Sequence, residues 1–184
     1  MDGVNFIEAA KRLGGAAAIR TGLRPPPRNV SRGSSPRRLI GPDERAVLSA
    51  AVDLYSHCLS SDPSALAYVQ ARGLDPQTLE RYDLGYCSGD ALVHYLRWRR
   101  LPLAPAQRVC LLTGDQREFL AGRIVVPEFR RGQPIWCVGR VFSDPVDAED
   151  APKYLGLPGP KPLLGFEEAR GAPVVWVVED RLIG

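Results

Sequence analysis

The chain has 184 residues, 45% of them hydrophobic and 24% charged, the balance of a folded globular protein with room for one domain and not two of full size. This excludes a wholly disordered chain, and no apolar run approaches the ~20 residues of a membrane-spanning helix. The formal net charge is only +3, yet residues 1–45 hold nine Lys/Arg against four Asp/Glu, a balance of +5, and the remainder balances at −2. A basic leader on a near-neutral body fits a polyanion partner or a solvated tail, and the tail is the simpler reading. The N-terminus carries no apolar signal-peptide core, so a cytoplasmic protein without a membrane partner is expected.

Residues 3–15 have the pattern of one short amphipathic helix. Asn5 is positioned to cap it, Glu8 follows three residues later, and Phe6, Ala9, Ala10 and Leu13 share a face. Gly14 or Gly15 ends it, and so short a helix needs something to pack on. From residue 16 to 42 no period survives. Pro25-Pro26-Pro27, Ser34-Ser35-Pro36 and the arginines at 28, 32, 37 and 38 mark a basic, Pro-rich linker, expected to be the first stretch cut by a protease.

Order is expected to begin after Gly41-Pro42. Asp43 and Glu44 suit a helix N-terminus, and Val47, Leu48, Ala51, Leu54, Tyr55 and Cys58 make the buried stripe. Asp62-Pro63 and Asp75-Pro76 each set an N-cap before a proline at the first helical position, predicting helices over 63–72 and 76–82. Leu84-Gly85-Tyr86-Cys87 reads as extended, and Asp90 is expected to cap a helix over 91–100. On that helix, Tyr95 and Trp98 beside Arg97, Arg99 and Arg100 fit either a base-stacking face or a half-buried aromatic pair among solvated arginines.

Past Pro105 the pattern turns to strands. Runs 123–129 and 134–142 are rich in β-formers, and Arg130-Arg131-Gly132-Gln133 between them predicts a hairpin. Pro127 should stand at an edge or a bulge, where no ladder donor is missed. Val174-Val175-Trp176-Val177-Val178 has no polar alternation, as in a strand buried on both faces. With 18 Gly and 17 Pro among 184 residues, many turns are expected and a helical bundle is not. The fold class is α+β: small helices plus an antiparallel strand-rich subdomain.

Single residues give little chemistry. Cys58, Cys87, Cys110 and Cys137 lie 23 to 29 residues apart with no C-x-x-C pair, so they read as buried small hydrophobes ahead of zinc ligands. His57 and His94 read as surface or packing residues. The order of several motifs says more. Arg72-Gly73-Leu74, Leu84-Gly85-Tyr86, Phe119-x-x-Gly122-Arg123-Ile124-x-x-Pro127, Gly139-Arg140 and Pro152-Lys153-Tyr154-Leu155 follow one another, with Leu164-Gly165-Phe166-Glu167-Glu168-Ala169 and Val177-Val178-Glu179 after them.

This series resembles bacterial-type DNA primases, in the N-terminal part of their RNA-polymerising core, over roughly residues 60–179. The resemblance implies an R-G-L helix end, an L-G-Y strand, an F-x-x-R-I-x-x-P strand, a G-G-R strand and a P-K-Y-L loop. Residues 1–15 are then similar to the helix closing the family's zinc-binding domain, with no zinc ligands present, and 16–42 to the tether. Residues 43–170 would be the subdomain itself, and 171–184 the first strand of an incomplete TOPRIM α/β fold. There the family's E-G-x-x-D is replaced by Glu179-Asp180-Arg181-Leu182-Ile183. The family's Mg²⁺ needs a second carboxylate cluster, so Glu179 is the one catalytic residue carried over and no metal is expected to be held.

The same resemblance makes Arg123, Arg140 and Lys153 the candidates for nucleic-acid or nucleotide phosphate, converging on one face. Their alternative is ion pairing with Asp or Glu in the same sheet. The implied function is a fragment of a DNA primase, which makes RNA primers on a DNA template in replication. It would bind single-stranded DNA without turnover of its own, with a replicative helicase as a further partner. Two other readings stay open: a non-catalytic adaptor docking on a protein, or the product of a truncated gene.

Overall fold

An antiparallel four-stranded sheet lies at the centre of the computed structural model, which describes residues 40–141 and 152–175. Strands β1 (Gly85–Cys87), β2 (Arg123–Arg130), β3 (Gln133–Val141) and β4 (Tyr154–Gly156) stand side by side in chain order. The described helices are α1 (Pro42–Ser61), α2 (Pro63–Ala71), α3 (Pro76–Arg81), α4 (Leu92–Trp98), α5 (Leu103–Arg108) and the short α6 (Phe166–Ala169). These residues fall in one compact unit, Pro36–Gly184; the other, Met1–Ser35, lies outside the described residues, as do the expected N-terminal helix and most of the linker. The α+β class is as the sequence predicts.

Local chemistry starts α1, α2 and α3 where the sequence says, whereas α5 (Leu103–Arg108) forms where the sequence pattern turns toward strands. Asp62 accepts the backbone N–H groups of Ser64 and Ala65, both at 2.9 Å, and Asp75 accepts that of Thr78 at 2.7 Å. Glu44, at the third position of α1, accepts the Gly41 N–H at 3.0 Å and receives the Arg108 Nε at 2.9 Å, which ties α1 to α5. Helix α4 departs from expectation. Asp90 accepts the Ser88 hydroxyl, and the Leu92 N–H donates instead to Oε1 of the buried Glu118 at 2.8 Å. The helix spans Leu92–Trp98, shorter than the predicted 91–100.

The stripe of α1 is also broader than predicted. Val47, Leu48, Ala51 and Tyr55 are buried as expected and Leu54 and Cys58 only half so, while Ala50, Val52 and Leu59 are buried as well. The sheet, α2, α4 and α5 all touch α1, so more than one side of it is covered. Two apolar clusters result. The larger joins α1, α4 and α5 to Cys87, Val125 and Cys137; the smaller joins Ala65 and Val69 of α2 to Ile124, Tyr86 and Val126.

Arg131 and Gly132 turn the β2–β3 hairpin with φ of 53° and 68°. Two left-handed residues make the tight turn whose twist matches that of paired strands. Pro127 lies beyond the end of β1, next to a register shift between Glu128 and Phe129, as its missing donor requires. Tyr154–Gly156, expected as a loop, pairs with Val138–Arg140 as β4. Three residues carry too little pattern to read as a strand, and docking on β3 makes them one. The 165–169 segment closes over the hairpin tip: Gly165 N–H donates to Glu128, Arg131 N–H to Glu167, and the Arg130 guanidinium covers the Phe166 ring at 4.4 Å.

Of the cysteines, Cys87 and Cys137 are buried, but Cys58 and Cys110 are only half-buried, which corrects the expectation that all four lie inside. His57 and His94 are exposed. Among the described residues no helix is long and apolar enough to cross a membrane. Val174 and Val175 are exposed and outside any strand; the rest of the expected last strand, with Glu179, lies outside the described residues.

Candidate nucleic-acid interface

Successive strand residues point to opposite faces, and directly opposed residues share one. In this register Arg123 opposes Cys87 and Val141, whereas Arg140 opposes Ile124 and Tyr154. Arg123 and Arg140 therefore project from opposite faces of the sheet. The expectation that the three basic residues converge on one face is corrected by this alternation.

The face of Arg123 is the one covered by α1, since a β-carbon at Gly85 would lie 2.5 Å from Cβ of Tyr55. Arg123 is only 6% exposed. Its Nη1 donates to the carbonyls of Pro152 at 2.8 Å and Lys153 at 3.3 Å. Burial pushes its pKa down, but a guanidinium keeps its charge, so these carbonyls solvate a buried cation. The chain pair that it ties together is β2 and the entry to β4. The partner is main chain, where the sequence alternative had placed a carboxylate.

Arg140 is half-buried on the other face, beside α2. Its guanidinium carbon stands 5.4 Å from the centroid of Tyr68 and 5.7 Å from that of Tyr154, and its Nε donates to the Tyr154 hydroxyl at 3.1 Å. Arg72, at the C-cap of α2 and exposed, lies 5.0 Å from the same Tyr68 ring. Two guanidinium groups and two phenol rings thus form one layered surface. Each ring–cation contact favours the charged plane over the ring by about 0.5–1 kcal/mol at exposed sites, enough to hold an orientation and too little to neutralise the charge. Lys153 is exposed, one residue before β4.

Sequence reasoning singled out Arg140 and Lys153 but not Tyr68, Arg72 or Tyr154. Arg72 and Tyr154 belong to the R-G-L and P-K-Y-L motifs, and Tyr68 precedes Arg72 by four residues on a helix, the spacing of neighbours on one face. What joins them to Arg140 is tertiary. Among the described residues no group of three His, Cys, Asp or Glu side chains fits a metal ion, and Glu179 lies outside them.

The family model for the DNA primase catalytic core, N-terminal domain, matches residues 54–160. A DNA primase of Aquifex aeolicus is 32% identical over 126 residues, covering 65% of this chain and 24% of the relative. The chain thus spans about a quarter of the length of the curated relatives it matches. The crystal structure of the Aquifex aeolicus primase zinc-binding and RNA polymerase domains superposes with a TM-score of 0.58 at 29% identity, over 64% of this chain and 29% of that one. The RNA polymerase domain of Mycobacterium tuberculosis primase, solved with a DNA oligomer, gives a TM-score of 0.56 over 64% of this chain and 38% of that one, a likeness of fold at 22% identity. With the family model matching more than half of its length, and a four-stranded antiparallel sheet among small helices as its framework, this chain belongs to the bacterial-type DNA primases, as the N-terminal domain of their catalytic core.

Proposed function

We propose that this domain holds single-stranded DNA template during DNA-templated synthesis of RNA primers, through Arg140, Lys153 and the tyrosines beside Arg140. The observation that carries the reading is the Arg140 guanidinium standing between the rings of Tyr68 and Tyr154. Rings offer base-stacking planes of no sequence preference, and a held guanidinium offers a bidentate phosphate contact. That the Mycobacterium tuberculosis structure is a complex with DNA supports a DNA partner. Arg123 holds the main chain at Pro152 and Lys153 from the opposite face and is a positioning residue.

On this reading residues 43–170 are the N-terminal subdomain of the core and 16–42 its tether. Residues 1–15 would then close a zinc-binding domain, and 171–184 would be the opening segment of a TOPRIM fold, with Glu179 as a catalytic carboxylate. Mg²⁺ would supply charge stabilisation for nucleotidyl transfer in the family's complete core, and among the described residues no three His, Cys, Asp or Glu side chains come together to hold a metal ion. A replicative helicase is the protein partner the reading carries with it.

The test is a titration of labelled oligodeoxythymidylate at two salt concentrations. Each neutralised phosphate contributes about −0.7 to the slope of log K against log salt. Arg140→Ala and Lys153→Ala should each weaken binding and flatten the slope by somewhat under one unit, with Arg37→Ala and Arg38→Ala as controls for a merely basic tail. Unchanged slopes in folded Arg140 and Lys153 variants, with losses in the tail variants, would overturn the reading.

A further inference from the structure

A second aromatic and cationic surface lies on α4, which packs on α1 with the larger apolar cluster and so apart from the Arg140 face. Trp98 is 74% exposed at the end of this helix, an unusual position for so large an apolar ring on a well-packed domain. It is not a loose side chain. Tyr95 stacks against it with centroids 5.8 Å apart and 30° between planes, and Arg99 in turn donates to the Tyr95 hydroxyl at 2.9 Å and covers that ring at 5.6 Å. Arg97 and Arg100 lie one residue before and two after Trp98, both exposed, and Arg97 Nη2 donates to Oε1 of Gln116 at 3.4 Å. Asp53 faces Arg99 at 3.5 Å, and among the described residues no carboxylate stands within ion-pair distance of Arg97 or Arg100.

Arg100 adds a backbone observation. It takes the left-handed position that ends the helix, with φ of 56°, while Leu101 N–H closes back on the Leu96 carbonyl at 2.8 Å. That position favours glycine or asparagine, so a long basic side chain there carries some backbone strain.

We propose that Tyr95, Trp98, Arg97 and Arg100 form a second contact for single-stranded nucleic acid, separate from the Arg140 surface. The choice of occupant rests on the proposed DNA role of the domain; the site itself does not use Arg140. An exposed indole backed by a stacked tyrosine, with guanidinium groups beside it, suits a base stacked on the indole and phosphates on the rim. An acidic protein surface would share the charge but would leave the exposed indole plane without a matching plane. A strand engaged at both surfaces would bind more tightly than at either, because the second contact is made intramolecularly.

The experiment titrates the full 184-residue chain with oligodeoxythymidylates of about 6 and about 24 nucleotides, lengths on either side of the ~4–16 nucleotides that small single-strand-binding modules occupy. It uses Trp98→Ala, Trp98→Phe, the double variant Arg97→Gln/Arg100→Gln, and Arg140→Ala. Trp98→Ala should weaken binding of the longer oligomer about fivefold or more, the contribution of one stacked base, and Trp98→Phe should retain most of it. The Arg97/Arg100 variant should flatten the salt slope by about 1.4, two phosphates' worth. Wild-type affinity and slope in both the Trp98→Ala and Arg97/Arg100 variants would overturn the inference; loss in Arg140→Ala alone would do so while sustaining the Arg140 surface. Loss in the α4 variants with Arg140→Ala unaffected would sustain the inference and remove Arg140. No binding by the wild-type chain at low salt would overturn both.

Discussion

A β-carbon added at Gly139 would lie 2.9 Å from Cδ of Arg123, 3.0 Å from its Cβ and 3.2 Å from Cδ2 of Leu120. The glycine beside Arg140 is therefore space for the stem of Arg123 on the opposite face. Gly139→Ala should lower stability by about 1–3 kcal/mol, the usual cost of an overpacked site, measured by chemical denaturation. Arg123→Ala should cost about 2 kcal/mol, because two carbonyls lose a charged donor, whereas Arg140→Ala should leave stability within about 0.5 kcal/mol. The buried thiols give a pH dependence. Burial pushes Cys137 up to about 12, and burial with Glu118 beside it pushes Cys87 well above the ordinary thiol range. The unfolded chain loses these protons near pH 8.5 while the folded one keeps them. This contribution is thus complete below about pH 8.5 and declines as pH rises above it, by at most about 1.4 kcal/mol per thiol and pH unit. Unfolding titrations from pH 8 to 11 should show the decline, and Cys137→Ala should make it shallower.

Among the elements, those whose signals are local were legible: the Asp-Pro starts of α2 and α3, the hairpin with its Arg-Gly turn, and the extended Leu84–Cys87. Those that depend on distant partners were not. Asp90 has the right residue type and spacing to cap α4, but Glu118, 26 residues on, takes the Leu92 N–H while its other oxygen accepts from the Cys87 thiol at 2.9 Å. No sequence period connects Glu118 to Leu92. Glu118→Ala should cost about 2–3 kcal/mol, removing a buried cap and leaving a buried N–H unpaired, whereas Asp90→Ala should cost under about 0.5 kcal/mol. Comparable losses from both in thermal melts would restore Asp90 as the cap. β4 has only the local pattern of a loop for the same reason, being a strand only by virtue of β3.

At the scale of the whole molecule, the fold class was legible in composition and in the order of motifs, and the site only in part. Motifs name Arg123, Arg140 and Lys153 by resemblance, and the strand register puts Arg123 and Arg140 on opposite faces. The sequence does contain the alternation, but which face each run presents depends on the pairing of β1 through β4. Tyr68 and Arg72 join the site from a helix some seventy residues before Arg140, through packing that no local pattern announces. Arginine modification by a dicarbonyl reagent, mapped by mass spectrometry with and without saturating oligodeoxythymidylate, tests this division most directly. Arg140 should react in the free protein and be protected by the oligonucleotide, and the buried Arg123 should be unreactive in both states. Equal modification of Arg140 with and without bound DNA, with protection confined to the arginines of residues 16–42, would contradict the account.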